Sequence, residues 1–594
     1  MEKQSSRLQI LWFFLKQYKL QVPGLLVLSL LVGGFEAATV ATVYPILNAA
    51  FLKSAGQGNL VLSLFKRVAD LLPFADEMIA LCLIFMILAL LAFIVKVIYV
   101  RYRAQFVARL VFNKQNEVLN KFLRADYQYI IDHKEGELIY NVTSAPASLS
   151  AVVLAITELI AQGFLSISII LLLFSLSWKG TIAVLLIGLM YYLITRYLAE
   201  KISYHSGKEQ SEAGRETMVV LNEALGGIKQ VKVFAQADEW MQRFKNAMGK
   251  YWHHSVRLQK WTEPLQPALM LILYIAIGVM AILLKKFFPN SFNELIPALG
   301  TFAFAVFRLV PVISVINSST MQIMQQLPNS EVVYRILGEN LTKIEDGDKE
   351  LDSFKSKIEF DNVTFTYKGR KKILKDVSIT FKKGKTTAIV GRSGSGKTTI
   401  INLLLRLFDV DDGQVIIDGL NIKQYKLVSF LNKLGYVSQD TFIFNDTIKN
   451  NITFGSKYTD EEVIKASEYA NAHGFISELP DGYDTVVGDR GIRLSGGQRQ
   501  RIAVARAMIR KPEILIFDEA TNALDNVSEA MVQKAIDEIS KNHTVIIIAH
   551  RLSTIVNADT IVVIGDGQVL EEGTHQELIE KDGAYYNLYR SQPM

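Results

Sequence analysis

Gly391-Arg392-Ser393-Gly394-Ser395-Gly396-Lys397-Thr398 is the stretch on which the reading of this chain turns. It follows the apolar run Thr387-Ala-Ile-Val390 and leads, through Thr399, into the helical pattern Ile400-Ile-Asn-Leu-Leu-Leu405, so it joins a buried strand to a helix. Gly391, Gly394 and Gly396 let backbone amides curl around phosphate oxygens, and a helix beginning near Lys397 adds its positive dipole end. Lys397 can reach the outer phosphates. Thr398 offers a hydroxyl to Mg²⁺, a small octahedral ion that shares phosphate oxygens with one or two protein groups. The loop from Gly391 to Thr398, with Thr399, is therefore a candidate nucleoside triphosphate site.

Downstream residues complete the same chemistry. Ile514-Leu-Ile-Phe-Asp518-Glu519 is an apolar run ending in two acids, as expected of a central parallel strand whose carboxyl end opens on a ligand crevice. Asp518 is placed to orient the metal and Glu519 to act as general base toward water. A second buried run, Thr544-Val-Ile-Ile-Ile-Ala549, ends in His550, whose imidazole can contact the terminal phosphate. Leu494-Ser-Gly-Gly-Gln498 precedes a long Arg- and Ala-rich helix, so Ser495, Gly496, Gly497 and Gln498 form another amide-rich helix start, a second anion site. Two such sites in one chain suggest a nucleotide shared between chains. Tyr367 closes the strand pattern that begins at Ile358 and offers an aromatic face to an adenine.

The chain has 594 residues, too many for one core. Apolar runs crowd the part before about residue 320, whereas the rest reads as a soluble α/β domain. Expected membrane spans cover about 22–51, 78–100, 148–175, 179–199, 265–284 and 295–317, in a membrane domain over 1–325. Lys3, Arg7, Lys16 and Lys19 precede the first span, and the long connections 101–147 and 200–264 are rich in Lys and Arg. This pattern puts the N-terminus, both connections and the 340–594 domain in the cytoplasm. Both connections are helical in pattern and too polar for lipid, so their helices project beyond the bilayer. Residues 60–72 carry Val61, Leu64, Phe65, Val68 and Leu72 on one helical face, which suits either the membrane interface or a protein surface. A net charge of +6 argues against a nucleic-acid partner, and the lone Cys82 excludes an intrachain disulfide.

Three ionisable groups fall in or near the spans. Lys96 lies close enough to a span end to snorkel, whereas Glu36 and Arg308 lie deeper and require a partner or an aqueous cavity. Arg308 has no acid three or four residues away on its own helix, so it suits an anionic headgroup or a pairing with Glu36. Both are candidate substrate residues.

The chain as a whole resembles the ATP-binding cassette (ABC) exporters, half-transporters with six membrane helices fused to one nucleotide-binding domain. Tyr367, the loop 391–398, Gln439 in Val437-Ser-Gln-Asp440, the signature 494–498, Asp518 with Glu519, and His550 carry the resemblance. Two departures are small: Asn522 stands where serine is usual, and Asp489 in Gly488-Asp-Arg-Gly491 stands where Glu is common. The resemblance implies a multi-domain fold, a six-helix transmembrane bundle followed by an α/β P-loop ATPase domain. It also implies ATP and Mg²⁺ as ligands, with Gln439 joining the catalytic and metal groups. A homodimer would close over two ATPs with Ser495 of one subunit facing Lys397 of the other, and loops near Tyr127–Gly136 and Leu225–Lys229 would carry closure to the cytoplasmic membrane. The transported molecule would be an amphipathic lipid or lipid-linked saccharide. A multidrug or peptide exporter is the alternative, and an ATP-gated channel or regulator a remoter one.

Overall fold

The computed structural model describes residues 7–51, 60–72, 76–176, 178–287, 292–342, 344–369, 371–519, 526–549 and 555–591. The chain forms two compact units: the first runs to Leu341 apart from Asp126–Gln128, and the second joins Asp126–Gln128 to Thr342 and onward.

The first unit is helical. In chain order its helices are α1 (Arg7–Leu15), α2 (Gln21–Ala41), α3 (Val43–Phe51), α4 (Leu60–Ala69), α5 (Glu77–Leu123), α6 (Tyr127–Ile131) and α7 (Glu135–Leu176). There follow α8 (Trp178–Leu198), α9 (His205–Gly226), α10 (Ile228–Val233), α11 (Ala237–Thr262), α12 (Leu265–Phe287) and α13 (Phe292–Gly338). All six expected spans fall on helices. The first is divided between α2 and α3 at Thr42. Among the described residues, four stretches are long and apolar enough to cross a membrane, within 21–49, 77–123, 135–174 and 306–338. At 1.5 Å per residue the 47 residues of α5 measure about 70 Å, more than twice a hydrocarbon core of about 30 Å, so half of the helix must stand in water. Asp76 starts it by accepting from the Met78 amide at 2.9 Å. A π-helical segment, Ala199–Tyr204, joins α8 to α9 without a break, and α13 runs on to Gly338, beyond the expected end of the membrane domain.

Helix contacts in this unit depend on small residues. Ser203, Gly207 and Ser211 recur every four residues, and a β-carbon on Gly207 would lie 2.1 Å from the Gln325 carbonyl oxygen of α13. Helix α4 packs on protein through Phe65 and Ala69, against Ala80, Leu81 and Ile84, while Leu64 and Val68 of the same apolar face remain exposed. Both readings of that face therefore hold in part. Lys96 does not snorkel as expected: its ammonium donates to Glu36 Oε1 at 2.9 Å. The reason is electrostatic, since a mostly buried carboxylate on α2 attracts the charge more strongly than a distant interface.

The second unit holds two sheets. The strands are β1 (Lys357–Phe365), β2 (Leu374–Lys382), β3 (Thr386–Val390), β4 (Asp412–Ile417), β5 (Leu420–Asn421), β6 (Leu434–Val437), β7 (Ile514–Asp518), β8 (Thr544–Ile548), β9 (Thr560–Gly565) and β10 (Gln568–Gly573). One sheet has the order β2-β1-β4-β5 and is antiparallel; the other has the order β10-β9-β3-β8-β7-β6 and is parallel except for β10. Its central strands are apolar on both faces because both are covered. Ala388, Leu515, Phe517, Val545 and Ile547 face a core shared with Ile502, Val504 and Ile536. Their neighbours Ile389, Ile516 and Ile546 face another core, shared with Ile400, Leu404 and strand β1. Strand β1 departs from simple alternation at a register shift between Asp361 and Thr364, where Asn362 has a left-handed backbone.

Gly207→Val should lower the thermal unfolding midpoint of the detergent-purified protein, because the contact lies against backbone and cannot relax by a rotamer change. The cost belongs at the upper end of the roughly 1–3 kcal/mol typical of overpacking. An unchanged midpoint would show that α9 and α13 separate freely.

Candidate functional site

Four neighbouring parallel strands deliver the nucleotide residues to one edge. In register, Ile389 of β3 lies beside Ile548 of β8, and Ile548 beside Asp518 of β7. Val437 of β6 lies beside Phe517. The loop after β3, the acids ending β7 and Gln439 just after β6 therefore leave the sheet side by side, as ligand residues do at the carboxyl edge of such sheets. His550, expected after β8, lies outside the described residues, as does the segment Asn522–Asp525.

The loop fits phosphate. Gly391 has φ +156° and sits so close to β9 that a β-carbon would meet the Ile564 carbonyl oxygen at 2.1 Å. Gly396, at φ +108°, caps the helix Lys397–Leu404. The Lys397 ammonium donates to the carbonyls of Gly391 and Arg392 at 3.0 and 3.1 Å, with the residue 6% exposed. Burial pushes its pKa down, and Glu519 and Asp518 pull it partly back. Ser395 Oγ is buried with no hydrogen-bond partner, a polar atom awaiting a ligand. Thr398 is exposed while Thr399 is buried, so of the two hydroxyls it is Thr398 that a metal can reach.

The acids are set differently. Burial, then the adjacent Glu519, pushes the Asp518 carboxyl up to about 6, with Lys397 opposing. Glu519 has a left-handed backbone, φ +48°, fixed by its amide donating to the Ile548 carbonyl at 3.0 Å. Such a conformation in a non-glycine residue is strained and persists where the surroundings enforce it. Gln439 Nε2 donates to Glu519 Oε2 at 2.6 Å, which brings these two predicted residues into contact.

Ser495 begins the helix Gly496–Met508 with a capping box: its hydroxyl accepts from the Gln498 amide at 3.2 Å, and Gln498 Oε1 accepts from the Ser495 amide at 2.8 Å. Gln498 is thereby committed to shaping the turn, leaving Gly496 and Gly497 as the open amide pair. Tyr367 is half buried. Its hydroxyl donates to Thr399 Oγ1 at 3.3 Å and accepts from Asn402 at 3.2 Å, while its ring meets Phe365 and Phe408 edge-on.

Sequence reasoning missed a second tie across this site. Thr441 Oγ1 donates to Gln500 Oε1 at 2.8 Å, joining the segment after Gln439 to the helix after Ser495. The only signal was their position, two residues past one motif and two past another.

In the helical unit the structure brings Glu36, Lys96 and Arg308 together. Arg308 Nη2 lies 3.8 Å from Glu36 Oε2, too far for a hydrogen bond, whereas Lys96 holds the other oxygen at 2.9 Å. The carboxylate side chain is 12% exposed and that of Arg308 48%. Two cations on one acid leave an excess positive charge, and the guanidinium is the looser partner.

Comparison with known proteins matches residues 374–522 to the ABC transporter family model and residues 25–299 to the model of the ABC transporter transmembrane region. An ATP-dependent lipid A-core flippase of Vibrio vulnificus is 36% identical over 480 residues, 80% of this chain and 82% of the relative. The flippase of the same description from Saccharophagus degradans is 35% identical over 489 residues, 81% of each chain. The heterocyst differentiation ATP-binding protein HepA of Nostoc is 36% identical over 481 residues, 78% of this chain and 76% of the relative. A solved bacterial Atm1-family ABC exporter with ATP bound superposes with a TM-score of 0.82 at 26% identity, over 97% of this chain and 99% of that one. The phosphate loop, the acid-bearing edge and the apolar helices are thus parts of one machine: the chain belongs to the ABC transporter family, as a multi-pass membrane exporter whose ATPase domain binds and hydrolyses ATP to drive transport.

Proposed function

We propose that the chain works as a homodimer in the cytoplasmic membrane and flips an anionic amphipathic lipid. In this reading residues 1–325 form the transport part, with α13 running on to Gly338, and residues 340–594 the ATPase part, the latter in the cytoplasm with the N-terminus. The observation that carries the substrate class is the Glu36 cluster: a half-exposed guanidinium, loosely paired, within a membrane-length helix. Arginine cannot shed its proton, and a phosphate or pyrophosphate offers it bidentate hydrogen bonds. Similarity to proteins named lipid A-core flippases supports the same class.

In the ATPase domain the amides of 391–398 and Lys397 hold the phosphates, and Tyr367 stacks the adenine. Glu519 takes the proton of the attacking water, oriented by the Gln439 amide that already bonds its carboxylate. His550 contacts the terminal phosphate. The donor set at the sheet edge is made of hard oxygens and fits Mg²⁺, which Thr398, Asp518 and Gln439 would hold and which would neutralise phosphate charge. Ser495, Gly496 and Gly497 serve the nucleotide of the opposite subunit, and α6 and α10, short helices within the expected coupling loops, transmit closure.

Three substitutions test these assignments. Glu519→Gln keeps the shape and removes the basicity, so nucleotide should still bind while steady-state phosphate release falls by about 10² or more. Release near the wild-type rate would refute the role of the base. Ser495→Arg should abolish hydrolysis and spare nucleotide binding, since it places bulk only at the closed interface; loss of binding affinity would mean that the site is not shared. Arg308→Ala should raise the concentration of a phosphorylated glycolipid needed for half-maximal ATPase stimulation in nanodiscs by about tenfold, the worth of one charge-assisted bond. Glu36→Gln removes the internal competitor and should lower that concentration. If both substitutions shift it in the same direction, the cluster is structural.

A further inference from the structure

From Ser314 to Asn329, α13 reads Ser-Val-Ile-Asn-Ser-Ser-Thr-Met-Gln-Ile-Met-Gln-Gln-Leu-Pro-Asn, a run of amides and hydroxyls without a charge. Two adjoining cavities, both lined by Gln325, follow it. One, of about 670 Å³, lies among α8, α11, α12 and α13; the other, of about 500 Å³, lies among α7, α9, α11 and α13. Among the described residues that line them, Glu263 is the only charged one.

Several of these polar groups have one half of their hydrogen bonding already committed. Asn317 is 5% exposed; its Oδ1 accepts from Thr195 at 2.9 Å, while its Nδ2 has no partner. Asn329 Oδ1 accepts from both Tyr140 and Ser211, which leaves its amide nitrogen as the group able to donate. Gln325 Nε2 donates to Gln210 at 2.8 Å, which leaves its carbonyl to accept. The lining therefore presents neutral donors and acceptors together. Tyr191, Tyr251 and Trp252 add aromatic faces.

This chemistry selects its ligand by exclusion. An apolar compound would strand the amides. An anionic group would find no cation and would meet Glu263. A ligand of many neutral hydroxyls, with apolar ring faces between them, satisfies both the amides and the aromatic side chains. Position supplies the link to the membrane charges. Along the helix, Arg308 stands about 9 Å from Ser314 and about 26 Å from Gln325, so an extended headgroup anchored at Arg308 runs along the cavities. We infer that the two cavities form one groove for a neutral oligosaccharide, carried by the lipid whose anionic link sits at Arg308. The inference rests on the anionic-lipid reading of the Glu36 cluster and adds the nature of the headgroup.

The test uses the full-length protein in proteoliposomes with two probes: a polyprenyl pyrophosphate bearing a neutral pentasaccharide, and the bare polyprenyl pyrophosphate. Lipid-stimulated ATPase activity and flipping are measured for both. Wild-type protein should half-saturate with the glycan-bearing probe at a concentration at least tenfold below that for the bare probe. Gln259→Leu combined with Gln322→Leu should erase that advantage and leave the bare probe unaffected; both side chains are exposed on the lining, so the fold survives. Asn317→Leu should act in the same direction, with its thermal unfolding midpoint recorded beside it. Equal handling of the two probes by wild type, or an equal shift for both in the double variant, overturns the groove and leaves the anionic-lipid reading standing. Competition by a neutral Asn- and Gln-rich peptide but not by the free pentasaccharide also overturns it, assigning the groove to peptides. If neither pyrophosphate probe is moved while ATP is still hydrolysed, the reading beneath fails as well, an outcome distinct from equal handling.

Discussion

At Gly391 the backbone passes the carbonyl of Ile564 so closely that no β-carbon fits between them. That approach lets the chain leave β3 and turn at once into the helix at Lys397, inside the line of strand ends rather than above it. The rest of the ATPase domain depends on the arrangement. Because the loop lies low, Lys397 is buried beneath it, and its charge faces the two acids that end β7. Asp518 in turn is held among apolar strands, where its charge is costly without a cation nearby. A larger residue at 391 would lift the loop and separate the cation from the acids, so steric space at one glycine governs the electrostatics of the whole edge.

This part of the molecule was legible in the sequence because its signals are local. Three glycines, a lysine and a threonine within eight residues need only a strand before and a helix after, and the apolar runs supplied both. The acidic pair was readable for the same reason. Pairings between distant segments were not. Lys96 and Glu36 stand 60 residues apart on different helices, and no spacing rule joins them, so Lys96 was assigned to an interface it does not seek. The pairing of Arg308 with Glu36 was foreseeable only as one of two ways to relieve a buried charge. Likewise, the close contact of α9 with α13 depends on which faces meet, information that a helical repeat alone does not contain.

The tie between Thr441 and Gln500 shows how the two ends of the nucleotide site are held together within one chain. Gln439 bonds the carboxylate of Glu519; two residues on, Thr441 bonds Gln500, which lies one turn beyond the capping box of Ser495. Arg506, farther along that helix, donates to the carbonyls of Phe442 and Asn451 and lies over the rings of Phe444 and Phe454. Burial pushes its pKa down to about 10, still far above neutral pH, so the cation persists and the clamp stays charged. The segment 439–451 is thus fastened to the signature helix at two points and to the general base at a third. Any shift of Glu519 on its strained backbone must be felt by Gln439, and any tilt of the signature helix by Thr441.

In the helical unit, charge and neutral polarity are kept apart along α13. The charged cluster of Arg308 with Glu36 and Lys96 comes first, and the uncharged run from Ser314 to Asn329 follows it. Physical cost explains the order. Within a hydrocarbon span an ion costs at least roughly 2.5 kcal/mol, so a charge is kept there only with partners, and here one carboxylate serves two cations. Amides and hydroxyls carry a smaller penalty and can be satisfied by one another, as Asn329, Tyr140 and Ser211 are. A helix built this way can distinguish the parts of a long amphipathic molecule: the electrostatic contact fixes where its charged link stops, and the neutral contacts fix what can extend beyond it.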